Sequence, residues 1–133
     1  MEDEKALQKK WGKEGLCMGW TAFPTALLFM QNELGISSLE INVLLNLITH
    51  WWEPNDKIYP AQDGIASRMG VSKRTVQRGI EKLLDRGLIN VKPTSRDGQY
   101  KGRNIYDLSP LVALIDKKAP VIKLEMEIKR YAR

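Results

Sequence analysis

The feature that most constrains how this chain can fold is a short stretch around Gly70, residues 62–80. Glycine adopts the left-handed backbone of a sharp turn more readily than any other residue. On both sides of Gly70, apolar side chains recur at the spacing of amphipathic helices: Ile65, Ala66, Met69, Val71, Val76 and Ile80. The pattern predicts two short helices, at 62–69 and from 72 to about 86, that cross steeply at a tight turn.

Two helices that cross steeply need a small residue where they touch, a residue that can turn, and apolar side chains that fill the angle between them. Ala66 and Gly70 meet the first two needs, and the apolar set meets the third. Ser72 has the hydroxyl of a helix N-cap, and Gly87 can end the second helix in the left-handed conformation. The stretch therefore predicts a helix-turn-helix motif.

The segments before and after this motif have clear boundaries. Upstream, we predict a short helix at 25–34 that ends at Gly35, then a helix from the capping box Ser37–Glu40 to about Trp52. Downstream, residues 88–91 and 104–108 are predicted strands, and Asp97-Gly98 marks a turn in the polar loop between them. Ser109-Pro110 begins a predicted helix.

The last residues can be interpreted in two ways. Pro120 is expected to break or kink the helix that begins at Ser109. Residues 122–129 alternate as a strand does, but Val121, Leu124, Ile128 and Tyr131 also form a helical stripe. Leu, Met, Glu and Lys are strong helix formers, so we favour a helix.

The basic charge is concentrated in the middle of the chain. The formal net charge is +5, but residues 57–106 carry 11 basic and 4 acidic side chains, net +7, whereas residues 1–56 carry a net −4. Such a concentration indicates a polyanionic partner. An ordinary solvated basic face remains the alternative, because charge alone does not distinguish the two.

A resemblance to known DNA-binding domains supports a polyanionic partner over a solvated basic face. The run IASRMGVSKRTVQRGIEKLLDRGLI, residues 65–89, resembles the core of prokaryotic winged helix-turn-helix domains, both GntR-type regulators and winged-helix proteins of plasmids, phages and mobile elements. The second group matches better, because Tyr59-Pro60 and residues 102–111 are also typical of it. The resemblance covers residues 36–115. It implies a mainly α fold with a small β-hairpin wing (α+β), whose second motif helix enters the DNA major groove.

The sequence departs from that pattern at two positions. Ala61 lies where a serine or threonine often caps the first motif helix, so we expect that helix to begin without a side-chain cap. Gly79 lies where alanine is common, which predicts a cost of about 1 kcal/mol in helix stability.

Candidate DNA-binding residues fall in two groups. In the second motif helix, Val76, Ile80, Leu83 and Leu84 are predicted to face inward, leaving a polar set outside: Ser72, Lys73, Arg74, Thr75, Gln77, Arg78 and Lys82. Arginine can bind guanine through two hydrogen bonds and glutamine can bind adenine, while hydroxyls near a helix start suit phosphates. The wing group is Lys92, Arg96, Lys101 and Arg103, for which a soluble hairpin tip is the alternative. For Tyr100 we favour packing or backbone contact over base stacking.

Other kinds of site find little support in the sequence. His50 is the only histidine and Cys17 the only cysteine, which excludes a histidine metal cluster and a disulfide framework. We therefore predict no enzymatic activity, no metal and no cofactor, with Cys17 as a small core residue and His50 at a helix end. The uncharged stretch 15–32 is too short and interrupted for a membrane span, so a cytoplasmic protein is expected.

These observations predict sequence-specific binding of double-stranded DNA by a transcriptional regulator. A replication-initiation or partition component of a plasmid or phage is the alternative, and a winged helix that binds only protein is disfavoured by the basic segment. We divide the chain into an N-terminal extension packing on the core (1–35), the winged domain (36–115) and a helical tail (116–133). A homodimer is expected through the Trp11/Trp20 region or through the stripe of Val121, Leu124, Ile128 and Tyr131.

Overall fold

The computed structural model describes the backbone of residues 2–131 and the side chains of 3–130. The fold is mainly helical with one small sheet, in the order α1 (Glu2–Trp11), α2 (Thr25–Phe29), α3 (Gln31–Leu34), α4 (Ser38–Ile48), α5 (Gln62–Met69), α6 (Lys73–Asp85), β1 (Asn90–Lys92), β2 (Ile105–Asp107) and α7 (Ser109–Tyr131). A 3₁₀ turn, Glu14–Leu16, follows α1. The mainly α fold with a hairpin wing is confirmed.

The core lies where α4, α5 and α6 meet, and α2 and the first half of α7 close it from the other side. Leu44, Leu47, Ile65, Val76 and Leu83 are fully buried at its centre. Leu27 and Met30 are buried from α2 and the residue after it, and Leu111 from α7. The buried apolar side chains between Leu27 and Ile115 thus form one hydrophobic cluster.

The turn between α5 and α6 has the predicted geometry. Gly70 has a φ of 69°, and the N–H of Val71 donates to the carbonyl of Ala66 at 3.0 Å. Ser72 caps α6 by accepting a hydrogen bond from the N–H of Thr75 at 3.1 Å, whereas Ala61 makes no side-chain cap at the start of α5. The helix-turn-helix motif is therefore confirmed, including its weak first cap.

Gly79 has a packing role that the sequence did not indicate. It is buried against α4, and a Cβ built on it would lie 3.1 Å from Cγ2 of Val43. A methyl group at that distance forces its neighbour to move, so the absence of a side chain lets α6 approach α4 closely. The expected cost in helix propensity is thus offset by this contact.

The start of α4 differs in one respect from the predicted capping box. Ser37 does accept a hydrogen bond from the N–H of Glu40, at 3.2 Å. The carboxylate of Glu40, however, accepts from the Ser37 hydroxyl and pairs with the guanidinium of Arg86. Glu40 is only 1% exposed and the Arg86 side chain is 37% exposed, so a partly buried ion pair joins the start of α4 to the end of α6.

Several boundaries differ from the sequence interpretation. The helix at 25–34 is two short helices, and α4 ends at Ile48, with Trp51 and Trp52 beyond it. Pro120 does not break α7, which continues to Tyr131. The helical interpretation of the tail is therefore confirmed. The Tyr131 side chain and residues 132–133 lie outside the described part. Cys17 is exposed, so its placement in the core was wrong.

The N-terminal residues contribute no buried side chain before Leu27 within the described part, and Trp11 is 64% exposed. The division of the chain into three parts stays a prediction. In residues 2–131, no helix is long and apolar enough to cross a membrane.

Candidate nucleic-acid interface

α6 has one apolar face and one cationic face. Val76, Ile80 and Leu83 are buried as predicted, whereas Leu84 is 42% exposed and does not belong to the inner face. The opposite face exposes four of the predicted cations: Lys73, Arg74, Arg78 and Lys82. The first motif helix, α5, packs against α6, and these four side chains remain exposed to solvent.

Two of these four cations have acidic neighbours. Nζ of Lys73 lies 3.7 Å from Oδ2 of Asp63, and Nη1 of Arg74 lies 3.6 Å from Oε1 of Glu81. The side chains of both ion pairs are more than half exposed, and exposed ion pairs contribute little to stability. A phosphate can therefore displace either carboxylate at small cost. Arg78 makes no ion pair within the described residues.

The hydroxyls at the start of α6 are engaged with each other. Oγ of Ser72 lies 2.9 Å from Oγ1 of Thr75 and also accepts from the Thr75 N–H. This arrangement fixes the first turn of α6. Contact of these two residues with phosphate stays a prediction.

The wing is a compact hairpin tied to the rest of the domain. β1 and β2 are antiparallel, with Val91 opposite Tyr106, and the N–H of Tyr106 donates to the carbonyl of Ile58 at 2.8 Å. In the loop, Oγ1 of Thr94 donates to the carbonyl of Arg103 at 2.6 Å. The left-handed residues are Lys101 and Gly102, with φ of 52° and 79°. The turn predicted at Asp97-Gly98 is therefore present in this loop, but the left-handed positions, Lys101 and Gly102, were not predicted.

All four predicted wing cations, Lys92, Arg96, Lys101 and Arg103, are exposed. Tyr100 is packed edge-on against Tyr59, with ring centroids 4.9 Å apart. This contact agrees with the expected packing role of Tyr100, and it joins the loop to the segment before α5.

A groove between α6 and the wing brings members of both predicted groups together. It encloses about 540 Å³, and its lining includes Lys73 and Gln77 from α6 and Lys101 and Arg103 from the wing. Asp63 is the one acidic residue of this lining. Arg74, Arg78, Lys82, Lys92 and Arg96 lie outside the groove. The groove is thus a polar channel with cations on both walls.

Gln77 is held in that groove by a chain of side-chain hydrogen bonds. Its Nε2 donates to Oε1 of Gln62 at 3.2 Å, and Nε2 of Gln62 donates to the hydroxyl of Tyr106 at 3.1 Å. Sequence reasoning missed Gln62 and Tyr106, since neither the helical pattern nor the charge pattern connects positions so far apart.

A second cationic edge lies at the ends of α4 and α5. Arg68 donates from Nε to Oδ1 of Asn46 at 2.9 Å. Burial lowers the pKa of His50 below its usual 6.5, and the charges of Arg68 and Arg103 lower it further. His50 follows the end of α4, as expected. Arg68 was not a predicted site residue, although it belongs to the basic segment 57–106.

The chain is similar to a family of helix-turn-helix domains and to solved structures. Residues 34–89 match the model of a family described as a helix-turn-helix domain. The N-terminal domain of DnaD protein from Geobacillus kaustophilus HTA426 is similar in structure, with 24% identity over 96% of this chain and 98% of that chain and a TM-score of 0.60. MepR from S. aureus, solved in complex with DNA, has 16% identity over 80% of this chain and 86% of that chain, with a TM-score of 0.47.

No match was found among curated proteins. The family match coincides with the motif that the geometry shows, because it includes all of α4, α5 and α6. Together with the exposed cations of α6, it supports binding to DNA. The chain therefore contains a helix-turn-helix motif, completed by an antiparallel hairpin into a winged-helix fold.

Proposed function

We propose that this chain binds double-stranded DNA in a sequence-specific manner, with α6 in the major groove and the wing along the phosphate backbone. The observation that carries the proposal is the groove in which Lys73 and Gln77 of α6 meet Lys101 and Arg103 of the wing. A duplex offers phosphates at the edge of the major groove, where cations of a helix and of a neighbouring hairpin can contact them together.

The proposal separates residues that read bases from residues that hold phosphate. Arg78 is exposed on the second turn of α6 and has no acidic partner among the described residues. Its guanidinium is free to donate two hydrogen bonds to a guanine. Lys101 lies in the wing loop, where a compact positive charge suits a phosphate.

The test compares alanine variants at these two positions on a preferred and a scrambled duplex, at several salt concentrations. We expect Arg78→Ala to cost about 1–3 kcal/mol on the preferred duplex and much less on the scrambled one. Lys101→Ala should weaken both duplexes similarly and reduce the salt slope by about one unit. Lys118→Ala removes a partly exposed cation of α7, outside α6 and the wing, and serves as the control.

Equal losses on both duplexes for Arg78→Ala would mean that this arginine holds phosphate and that bases are read elsewhere. If the wild-type protein bound no duplex at low salt, the proposal of DNA binding would be wrong.

The role that we propose is transcriptional regulation, in a protein related to the winged-helix proteins of plasmids, phages and mobile elements. The chain acts by binding, without catalysis or a cofactor, and works at the nucleoid of the cytoplasm because the DNA is there. Mapping the bound sites across the source genome tests this role. Sites at several promoters support regulation, whereas one origin with repeated sites supports a replication or partition role instead.

We further propose that the protein binds DNA as a homodimer through the outer half of α7. Val121, Leu124 and Ile128 are 55%, 57% and 58% exposed, so they form an apolar stripe that lacks a cover in the single chain. A second copy can cover it with the same stripe, as two-fold symmetry requires. Trp11 offers a second apolar surface, whereas Trp20 packs edge-on against Trp52 at 6.1 Å between centroids.

Sedimentation at micromolar concentration tests this assembly. We expect a dimer for the wild type and a monomer for Leu124→Lys, because a charge in the middle of the stripe opposes its burial. A wild-type protein that stays monomeric with and without DNA refutes the dimer, and a dimer that persists in Leu124→Lys assigns the contact to the N-terminal segment.

A further inference from the structure

We infer that Gln62 and Tyr106 are positioning residues, which hold the carboxamide of Gln77 in the orientation that recognises one base of the DNA target. The inference rests on the proposed DNA binding and adds two residues to it. It concerns specificity, not overall affinity, because neither Gln62 nor Tyr106 carries a charge. The hydrogen-bonded chain from β2 through α5 to α6 is the observation behind it.

The chain is anchored at a rigid point. Tyr106 is 3% exposed, lies in the centre of β2 opposite Val91, and bonds through its backbone N–H to the carbonyl of Ile58. Its hydroxyl therefore has a fixed position at the edge of the core. Gln62, in the first turn of α5, is half-buried and extends from that hydroxyl toward α6.

The orientation of a glutamine amide matters because its two ends are chemically opposite. Adenine offers an acceptor at N7 and a donor at N6 in the major groove, so the glutamine must present a donor and an acceptor in the matching order. A carboxamide has two N–H donors and a carbonyl oxygen. When Gln77 gives one N–H to Gln62, its other N–H and its carbonyl oxygen are left for the base.

Holding the amide in advance also reduces the loss of side-chain entropy on binding. A free glutamine samples many rotamers and both amide orientations, and ordering it opposes recognition. Gln77 is half-buried, and the same groove contains Lys73, Lys101 and Arg103. Cations that bind phosphate thus surround one oriented group that can read a base.

The role of the Tyr106 hydroxyl can be separated from the role of its ring. Tyr106→Phe keeps the buried ring and removes only the hydroxyl, so the wing remains packed. Gln62→Leu breaks the chain at its middle link. Tyr59→Phe is the matched control, because Tyr59 lies beside the same elements and its hydroxyl makes no hydrogen bond within the described residues.

The binding experiment selects preferred duplexes from a randomised library. Gln77→Ala should relax the preference at one base pair by about 5- to 150-fold, which identifies the position that it reads. Tyr106→Phe and Gln62→Leu should relax the same position by about 2- to 12-fold, the value of one hydrogen bond. Binding to mixed-sequence DNA and the preference of Tyr59→Phe should stay unchanged.

Three binding results would overturn the inference. Tyr106→Phe with the wild-type preference shows that the hydroxyl has no effect on reading. Equal losses on preferred and mixed-sequence DNA show a merely structural role. A loss of preference at a base pair that Gln77→Ala does not affect shows that Tyr106 and Gln62 do not act through Gln77.

A second measurement needs no DNA. The side-chain N–H signals of Gln77 in an NMR spectrum of the free protein, assigned with Gln77→Ala, should shift in Tyr106→Phe and in Gln62→Leu but not in Tyr59→Phe. Unchanged signals mean that the hydrogen bonds from Tyr106 through Gln62 to Gln77 do not form in solution. The inference is then wrong whether or not the protein binds DNA. A wild type that shows the shifts but binds no duplex refutes the proposed function, while the coupling between the wing and α6 stands.

Discussion

Removing the guanidinium of Arg86 should destabilise the protein more than the loss of any exposed ion pair. Arg86 lies at the end of α6 and pairs with Glu40, which is 1% exposed at the start of α4. In Arg86→Ala the carboxylate of Glu40 stays inside the protein without its counter-charge. The side chain of Arg86 also covers Gly35, where a Cβ would lie 3.1 Å from its Nε.

The magnitude follows from the burial of the two partners. Removing one partner of a fully buried pair costs about 3–5 kcal/mol. The Arg86 side chain is 37% exposed, so in Arg86→Ala water reaches part of the space that it leaves beside the carboxylate of Glu40. Ser37 keeps one hydrogen bond to that carboxylate. Solvent screening therefore reduces the effect, and we expect the lower end of the range, about 3 kcal/mol.

Urea unfolding followed by tryptophan fluorescence and circular dichroism measures this cost as a shift of the midpoint at unchanged slope. The matched control is Lys118→Ala, which breaks the partly exposed pair between Lys118 and Glu33, 3.7 Å apart. That change should cost about 0–1 kcal/mol. In a Glu40→Gln background, Arg86→Ala should cost at least about 1 kcal/mol less than in the wild type, because no buried charge is left behind.

The reasoning would be refuted if Arg86→Ala cost no more than Lys118→Ala. It would also be refuted if the two substitutions at 40 and 86 were additive, since independent losses would show that the charges do not interact.

Three further outcomes are expected. Gly79→Ala should change the free energy of unfolding little in the wild type but stabilise a Val43→Ala background by up to about 1 kcal/mol, because only there is the Cβ accommodated; urea unfolding of the four proteins checks it. Gly70→Ala should cost about 1–2 kcal/mol by the same assay, since the site is spacious but has a φ of 69°. An NMR titration should give His50 a pKa below 6.5 that rises in Arg103→Ala; because the unfolded chain binds this proton more readily, the native state loses stability as the pH falls below 6.5.

The parts of the fold that the sequence predicts are those coded by local patterns. The turn at Gly70, the caps at Ser37 and Ser72 and the left-handed exit at Gly87 each depend on residues a few positions apart. Their conformations follow from glycine stereochemistry and from hydroxyl groups that accept backbone N–H donors. The cationic face of α6 was predictable for the same reason.

The parts that could not be predicted depend on contacts between distant segments. Glu40 has the sequence signature of a capping box, but its ion pair is formed with Arg86, which only the packing of α4 on α6 brings near. The helical penalty at Gly79 is a local property, whereas the contact with Val43 that offsets it is not. The link from Tyr106 to Gln77 is of the same kind, since it joins a strand to two helices.

The proline within α7 has a mechanical consequence. Pro120 has no backbone N–H, so the carbonyl of Asp116 lacks its partner in the helical ladder, although the helix continues to Tyr131. The helix extends about 34 Å, and prolines are the positions at which long helices most often bend. If two copies were joined through the residues beyond Pro120, their α6 helices would therefore be connected through two α7 helices that can each bend at Pro120. Such a dimer would tolerate target half-sites at more than one spacing, whereas a dimer joined through rigid arms would require one.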